Sequence, residues 1–178
     1  MTAALELCAE VGYFSLRIEA IARRAGTGKQ TIYRWWPSKG VLLLDALQNA
    51  SRDSAGFADT GDIWADLQTQ MEKLVGGLYS ARLGPVLMAL IDGAHHDPIL
   101  AERLVSDVIG PRRAASLARL RAAVNRGELP TGTDLPLLLD QLYGPLYYRF
   151  LVTREPTDAD FIRRHLAALM KNTAAPAP

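Results

Sequence analysis

Apolar residues recur along this chain mostly at spacings of three and four, and the strict alternation of a half-buried strand is missing. The pattern predicts an all-α protein. Glycine, proline and Asp/Ser/Thr positions punctuate it into about nine helices, near 2–11, 16–24, 28–35, 38–52, 62–80, 83–95, 98–126, 134–153 and 158–170. Pro111 and Pro145 fall inside otherwise helical patterns. Each should break or kink its helix, because proline has no N–H to donate and its ring clashes one turn back, which leaves room for two helices in 98–126. Asp97-Pro98 is a start signal: the carboxylate can cap and proline suits the first helical position.

The stretch "DSAGFADTGD" (53–62) is the clearest shift in composition and reads as a hinge, "RGELPTGTDLP" (126–136) reads as a polar loop, and "NTAAPAP" is too poor in large apolar residues to order itself. There is no internal repeat. The expected division is an N-terminal domain of residues 1–50, a helical domain of 51–172 and a disordered tail of 173–178. With 49% hydrophobic and 22% charged residues, the composition is that of a globular domain, and the apolar runs fall far short of the ~20 residues that span a membrane. No membrane partner is expected, and the absence of a basic leader points to the cytoplasm. Cys8 is the only cysteine, which excludes an internal disulfide and a multi-cysteine zinc site.

A net charge of +1 is uninformative until it is divided. Residues 15–40 carry Arg17, Arg23, Arg24, Lys29, Arg34 and Lys39 against Glu19 alone, a local balance of +5 that leaves −4 for the rest. Such concentration is the footprint of a polyanion partner. Within the same stretch, Ile18, Ile21, Ala22 and Ala25 share one helical face, and Gly26 ends it. Small Ala22 suits the close crossing of two helices through a short turn. Ile32 returns the next helix to that core, with Trp35 or Trp36 closing its end.

The result is a helix-turn-helix pattern. Lys29, Gln30 and Thr31 stand at the start of its second helix, where side chains meet base edges in the major groove. Lysine can donate to guanine, glutamine can pair with adenine, and threonine can offer a methyl to thymine. Tyr33, Trp35 and Lys39 follow at the far end, where a phenol, an indole and an ammonium can hold phosphates. Ser38 can cap the helix after them.

The run "AALELCAEVGYFSLRIEAIARRAGTGKQTIYRWWPSKGVLLLDAL" (3–47) resembles the TetR family of bacterial transcriptional regulators in its helix-Gly-Tyr entry, its IA-xx-AG turn, its T-I-Y recognition helix and the SK that follows. The resemblance implies that Ser15 and Arg17 lie near phosphates at the start of the second helix, that Lys29, Gln30 and Thr31 read bases of a double-stranded DNA operator, and that Tyr33, Trp35 and Lys39 clamp the backbone. Thr27 and Gly28 depart from the common pattern, an apolar residue and a capping serine. The basic N-terminal arm often seen in the family is expected to be short or absent here.

The rest resembles the family's C-terminal part in architecture and in phrases such as "LYGPLYYRFLVTREP". This implies a small-molecule effector pocket among the middle helices and a homodimer through the last two. Apolar residues with polar neighbours, Trp64, Met71, Met88, Ile91, Tyr143 and Tyr147, with His95 as a polar contact, are the pocket candidates. Leu138, Leu142, Leu146, Leu151, Phe161, Leu166 and Leu169 offer more apolar surface than one core needs, and all but Leu151 are the dimer candidates. No cofactor is implied. His95, His96 and Asp97 do not form a metal set, since adjacent residues on a helix do not share a face. No nucleophile, phosphate-cradling loop or metal spacing supports an enzyme. The competing reading is a helical protein-interaction adaptor with a non-functional DNA-binding head.

Overall fold

The structure is a computed structural model that describes residues 1–51 and 57–174. Among these residues it contains helices and no strand. The helices are α1 (Thr2–Ser15), α2 (Ile18–Arg24), α3 (Lys29–Trp35), α4 (Lys39–Ala50), α5 (Ile63–Leu78), α6 (Gly84–Ala94), α7 (Pro98–Arg103), α8 (Gly110–Asn125), α9 (Leu135–Tyr148) and α10 (Ala159–Ala174). A widened π turn, Leu104–Ile109, joins α7 to α8 without a break, and a second, Arg149–Thr153, follows α9. Counted as one continuous element, α7 to α8 leaves the nine helices that the periodicity predicts. Parts of the expected hinge (53–56) and tail (175–178) lie outside the described residues, while α10 runs on through Ala174.

Pro111 does not stop its helix. The N–H of Gly110 reaches back to the Val105 carbonyl across the wide turn. The Asp107 carbonyl, four residues before the proline, cannot receive its usual intrahelical donor, and Gln48 Nε2 donates to it at 2.8 Å instead. Pro145 is likewise carried inside α9. Ser15, expected at the start of the second helix, is instead the last residue of α1, which departs from helical geometry at Gly12.

The chain divides into two compact units, each drawn from two stretches: Met1–Asp53 with Gly77–Gly110, and Ser54–Gly76 with Pro111–Pro178. The first takes in α6 and α7 as well as the basic region. Its core joins Leu5, Cys8, Leu16, Ile21, Leu43 and Leu44 to Val86, Leu90, Leu100 and Leu104. The Tyr13 side chain makes this packing close: a Cβ on Gly93 would come within 2.7 Å of its ring, and one on Gly40 within 2.9 Å of its hydroxyl. Only bare backbone at both positions lets α4 and α6 close over the tyrosine. Cys8 is fully buried, and burial pushes its thiol up to about 11.

The second unit packs Ile63, Leu67 and Met71 of α5 against Leu120 and Ala123 of α8, Leu138, Leu139, Leu142 and Leu146 of α9, and Ile162, Leu166 and Leu169 of α10. Inside it lies a charged pair. Arg119 Nη2 donates to Asp66 Oδ2 at 2.7 Å and to Glu128 Oε2 at 2.9 Å, and both Arg119 and Asp66 are almost wholly buried. Thr60 donates to Asp66 through its hydroxyl (2.7 Å) and its backbone N–H (3.1 Å). Burial works to raise the Asp66 pKa, but the hydrogen bonds from Thr60 and Arg119 outweigh it and hold the carboxyl below its ordinary 3.8. The pair therefore adds stability above pH 3.8, and that stability is lost as pH falls through the lowered value.

Removing one partner of a buried pair strands the other. Arg119→Ala should cost about 3–5 kcal/mol of stability at neutral pH. Thermal unfolding across pH should show the deficit shrinking as the medium is acidified, because a protonated Asp66 no longer needs the guanidinium; a deficit independent of pH would contradict this account.

Candidate nucleic-acid interface

The turn between α2 and α3 closes by hydrogen bonds that the sequence places. Gly26 sits at φ +64°, its N–H donates to the Arg23 carbonyl at 3.3 Å, and the Thr27 N–H donates to the Ala22 carbonyl at 3.0 Å. This paired closure satisfies the last carbonyls of α2 and calls for glycine at the left-handed position. Ala22 and Ile32 are buried at the crossing. Gly28 then serves as the N-cap of α3, with no side-chain hydrogen bond, whereas Ser38 caps α4 by accepting from the Val41 N–H at 3.3 Å.

Burying Ile32 turns the rest of α3 outward. Lys29, Gln30, Thr31, Tyr33 and Trp35 are all exposed, the last 65% so. Arg34 lies over the Trp35 ring, 5.4 Å from its centroid. Lys29 Nζ stands 3.7 Å from Glu19 in a pair open to solvent. Ser15 and Arg17 are also exposed, with Arg17 as the N-cap of α2. Arg24 is drawn aside by Glu10, whose carboxylate takes both terminal nitrogens at 2.6 and 3.0 Å.

This geometry, a short helix with an apolar inner face and a solvent-facing row of Lys, Gln, Thr, Tyr and Trp, belongs with what similarity to known proteins shows. The profile described as bacterial regulatory proteins, tetR family, matches residues 1–46, and that described as tetracyclin repressor-like, C-terminal domain, matches 57–169. This chain belongs to the TetR family. It is 32% identical to the HTH-type transcriptional regulator YdeS of Bacillus subtilis over 92% of this chain and 82% of that protein. It is also 32% identical to the DNA-binding transcriptional repressor TetR of Mycobacteroides abscessus, over 92% of this chain and 86% of that protein. The crystal structure of the TetR family transcription regulator SCO0332 superposes with a TM-score of 0.80 at 36% identity, covering 98% of this chain and 96% of that one. The protein is therefore a helix-turn-helix transcriptional regulator, and DNA is its partner.

Within this TetR-family head, Lys39, expected to clamp a phosphate, turns toward backbone carbonyls. Its ammonium donates to the carbonyl oxygens of Tyr13 (2.6 Å), Leu16 (3.1 Å) and Phe14 (3.3 Å), and it lies 4.5 Å from the centroid of the Tyr13 ring. Three carbonyls take its three donors, so the lysine closes the end of α1. Desolvation, helped by the charge of Arg17, lowers its pKa.

The residues expected to line an effector pocket fall on both units. Met88, Ile91 and His95 belong to the first, where His95 Nδ1 lies 2.9 Å from the Ile91 carbonyl. Trp64, Met71, Tyr143 and Tyr147 belong to the second. Met71 is wholly buried in that unit's core, so it is packing. Tyr143 and Tyr147 are largely buried, with pKa values raised by that burial, and the Tyr143 hydroxyl is 3.5 Å from Ser116 Oγ. Nothing in the sequence announces this contact, because a lone serine on an Arg/Ala-rich helix carries no signal.

The residues expected at a dimer interface belong to the second unit. Leu138, Leu142, Leu146, Leu166 and Leu169 are buried in the chain's own core. Phe161 lies between Arg149, whose guanidinium carbon is 4.2 Å from the ring centroid, and His165, stacked at 6.0 Å. Exposed apolar residues nearby include Met170 of α10 and Leu137, Tyr148 and Val152, of which the last three, with Gln141 and Gly144, follow one face of α9 and the turn after it.

The placement of Lys39 separates two roles by experiment. Lys39→Ala should lower thermal stability by about 1–3 kcal/mol and weaken DNA binding without changing its salt dependence. A phosphate contact would do the reverse, leaving stability intact and reducing the slope of log K against log salt by about one.

Proposed function

We propose that this TetR-family regulator is a cytoplasmic homodimeric repressor that leaves its operator when a small-molecule effector binds. The observation that carries the DNA-reading part is the outward face of α3. In this reading Lys29, Gln30 and Thr31 meet base edges in the major groove, while Tyr33, Trp35, Ser15 and Arg17 hold phosphates on either side. Repression is supported by the relative from Mycobacteroides abscessus, which is described as a DNA-binding transcriptional repressor. The domain that reads DNA is residues 1–50, with 51–172 serving regulation and self-association.

An effector releases DNA only if it binds the DNA-incompetent state more tightly, so effector and operator weaken each other's binding by the same factor. Tyr143, Tyr147 and Ser116 are the polar contacts proposed for it in the second unit, the tyrosines kept as neutral hydroxyl donors by burial. Self-association is assigned to the exposed face of Leu137, Gly144, Tyr148 and Val152 with the small Ala167 and Ala168 of α10. A twofold interface of this kind sets two recognition helices about one DNA turn apart.

Binding to duplexes from the protein's own genomic neighbourhood tests the reading. Affinity should fall steeply with salt. Gln30→Ala should change the preferred base by about 1–3 kcal/mol, while Tyr33→Phe should weaken all duplexes alike by about 1 kcal/mol. Protein that retards no such duplex at low salt would overturn it. Sedimentation at micromolar concentration should give twice the chain mass, and Tyr148→Glu with Val152→Glu should give a folded monomer; wild-type monomer would remove the dimer.

A further inference from the structure

α4 carries one carboxylate in an otherwise apolar run, Asp45, directly after the buried Leu42, Leu43 and Leu44. Its two oxygens take different partners. Oδ2 accepts the indole N–H of Trp36 at 2.8 Å, and Oδ1 accepts from Arg103 Nη2 at 3.3 Å. Trp36 is the residue that ends α3, its own N–H donating to the Ile32 carbonyl at 2.9 Å. The two neighbouring tryptophans thus divide the work: Trp35 faces solvent and Trp36 turns inward to the carboxylate.

Arg103, at the end of α7, is itself fixed by a 2.8 Å hydrogen bond from Nε to Asp107 Oδ2. Asp107 is held a second time through its backbone, since Gln48, one turn after Asp45 on α4, donates to the carbonyl that Pro111 leaves without a donor. At the other end of α4, Ser38 Oγ donates to Asp97 Oδ2 at 3.4 Å. One side of α4 is therefore tied to the 97–107 stretch at three levels. Only the middle one reaches the recognition helix.

We propose that Asp45 is a positioning residue for DNA reading, anchoring the C-terminal end of α3 through the Trp36 indole while Arg103 fixes the carboxylate itself. α3 has seven residues, too few to hold its own direction, and its N-cap offers no side-chain bond. Its outward side chains keep a common aim only if its far end is pinned. A charge-assisted hydrogen bond from an indole restrains angle as well as distance, which apolar packing of Ile32 alone does not. The inference rests on the DNA-reading face assigned above.

The test uses the full chain, its operator duplex and an unrelated duplex, with Asp45→Ala, Asp45→Asn, Trp36→Phe and the double variant Asp45→Ala/Trp36→Phe, each at a temperature where circular dichroism reports it folded. Asp45→Ala should lose about tenfold or more on the operator and little on unrelated DNA, with the salt slope unchanged. Asp45→Asn keeps an acceptor for the indole and should recover most of that loss. Trp36→Phe keeps the ring and removes the donor, so it should match Asp45→Ala, and the double variant should lose no more than either single one. By NMR, the Trp36 indole proton should shift in Asp45→Ala and stay near its wild-type position in Asp45→Asn. Operator affinity unchanged in both Asp45→Ala and Trp36→Phe, or additive losses in the double variant, would overturn the proposal. Wild-type protein that bound no duplex would instead overturn the functional reading, leaving the indole shift to report on the anchor.

Discussion

Tyr13 can lie between α4 and α6 only because Gly40 and Gly93 present bare backbone to it, and much of the first unit follows from that fit. A Cβ at Gly93 would stand 2.7 Å from the ring and one at Gly40 2.8 Å from Leu100, distances at which side chains must move. With the tyrosine in place, the Tyr13, Phe14 and Leu16 carbonyls converge on Lys39. The end of α1 is thereby fixed to the start of α4, and the short helices α2 and α3 are held between them. Neither has the length to be stable alone. Their direction is borrowed from longer neighbours, so the outward face of a seven-residue helix depends on a tyrosine sixteen positions before it begins.

The turn and the outward face of α3 were legible in the sequence because their determinants are local. Gly26 marks the turn by its own backbone conformation, Ile32 marks the inner face by periodicity, and the polar residues around it are left outside by exclusion. The carbonyl partners of Lys39 were hidden for the opposite reason. An ammonium after a serine at a helix start looks like a free cation, and nothing nearby in sequence announces three carbonyls from residues 13, 14 and 16. The same limit applies to the leucines of α9 and α10. Periodicity states that Leu142 and Leu166 are on an apolar face but not which body covers that face. Leu137, Tyr148 and Val152, no more apolar than they, are left uncovered. The place of α6 and α7 beside the head was equally hidden, since the signal for it is a glycine in one helix whose partner is a tyrosine 80 residues earlier.

Charge alters the picture in a similar way. The +5 of residues 15–40 overstates what faces a polyanion, because Arg24 is bound by Glu10 and Lys39 is turned toward carbonyls. What remains exposed is Arg17, Arg23, Lys29 and Arg34. Lys29 shares its charge with Glu19 at 3.7 Å, a surface pair worth little in water and readily exchanged for a nucleic-acid contact. A modest cationic surface with several hydrogen-bonding side chains favours discrimination between sequences over general adhesion to phosphate.

The prolines show how tertiary contacts change what a local rule predicts. By itself Pro111 removes a donor and crowds the preceding turn, which ought to end a helix. Here a wide turn over Leu104–Ile109 precedes the proline, and the Asp107 carbonyl, which Pro111 cannot serve, is met by Gln48. The proline is then more than tolerated. The Asp107 carbonyl accepts from Gln48 of α4, beside the carboxylate that already grips Arg103. The break in the helical ladder thus becomes the attachment point for α4. Replacing the proline would return an N–H to compete for that oxygen and loosen the attachment, even though the helix taken alone would gain.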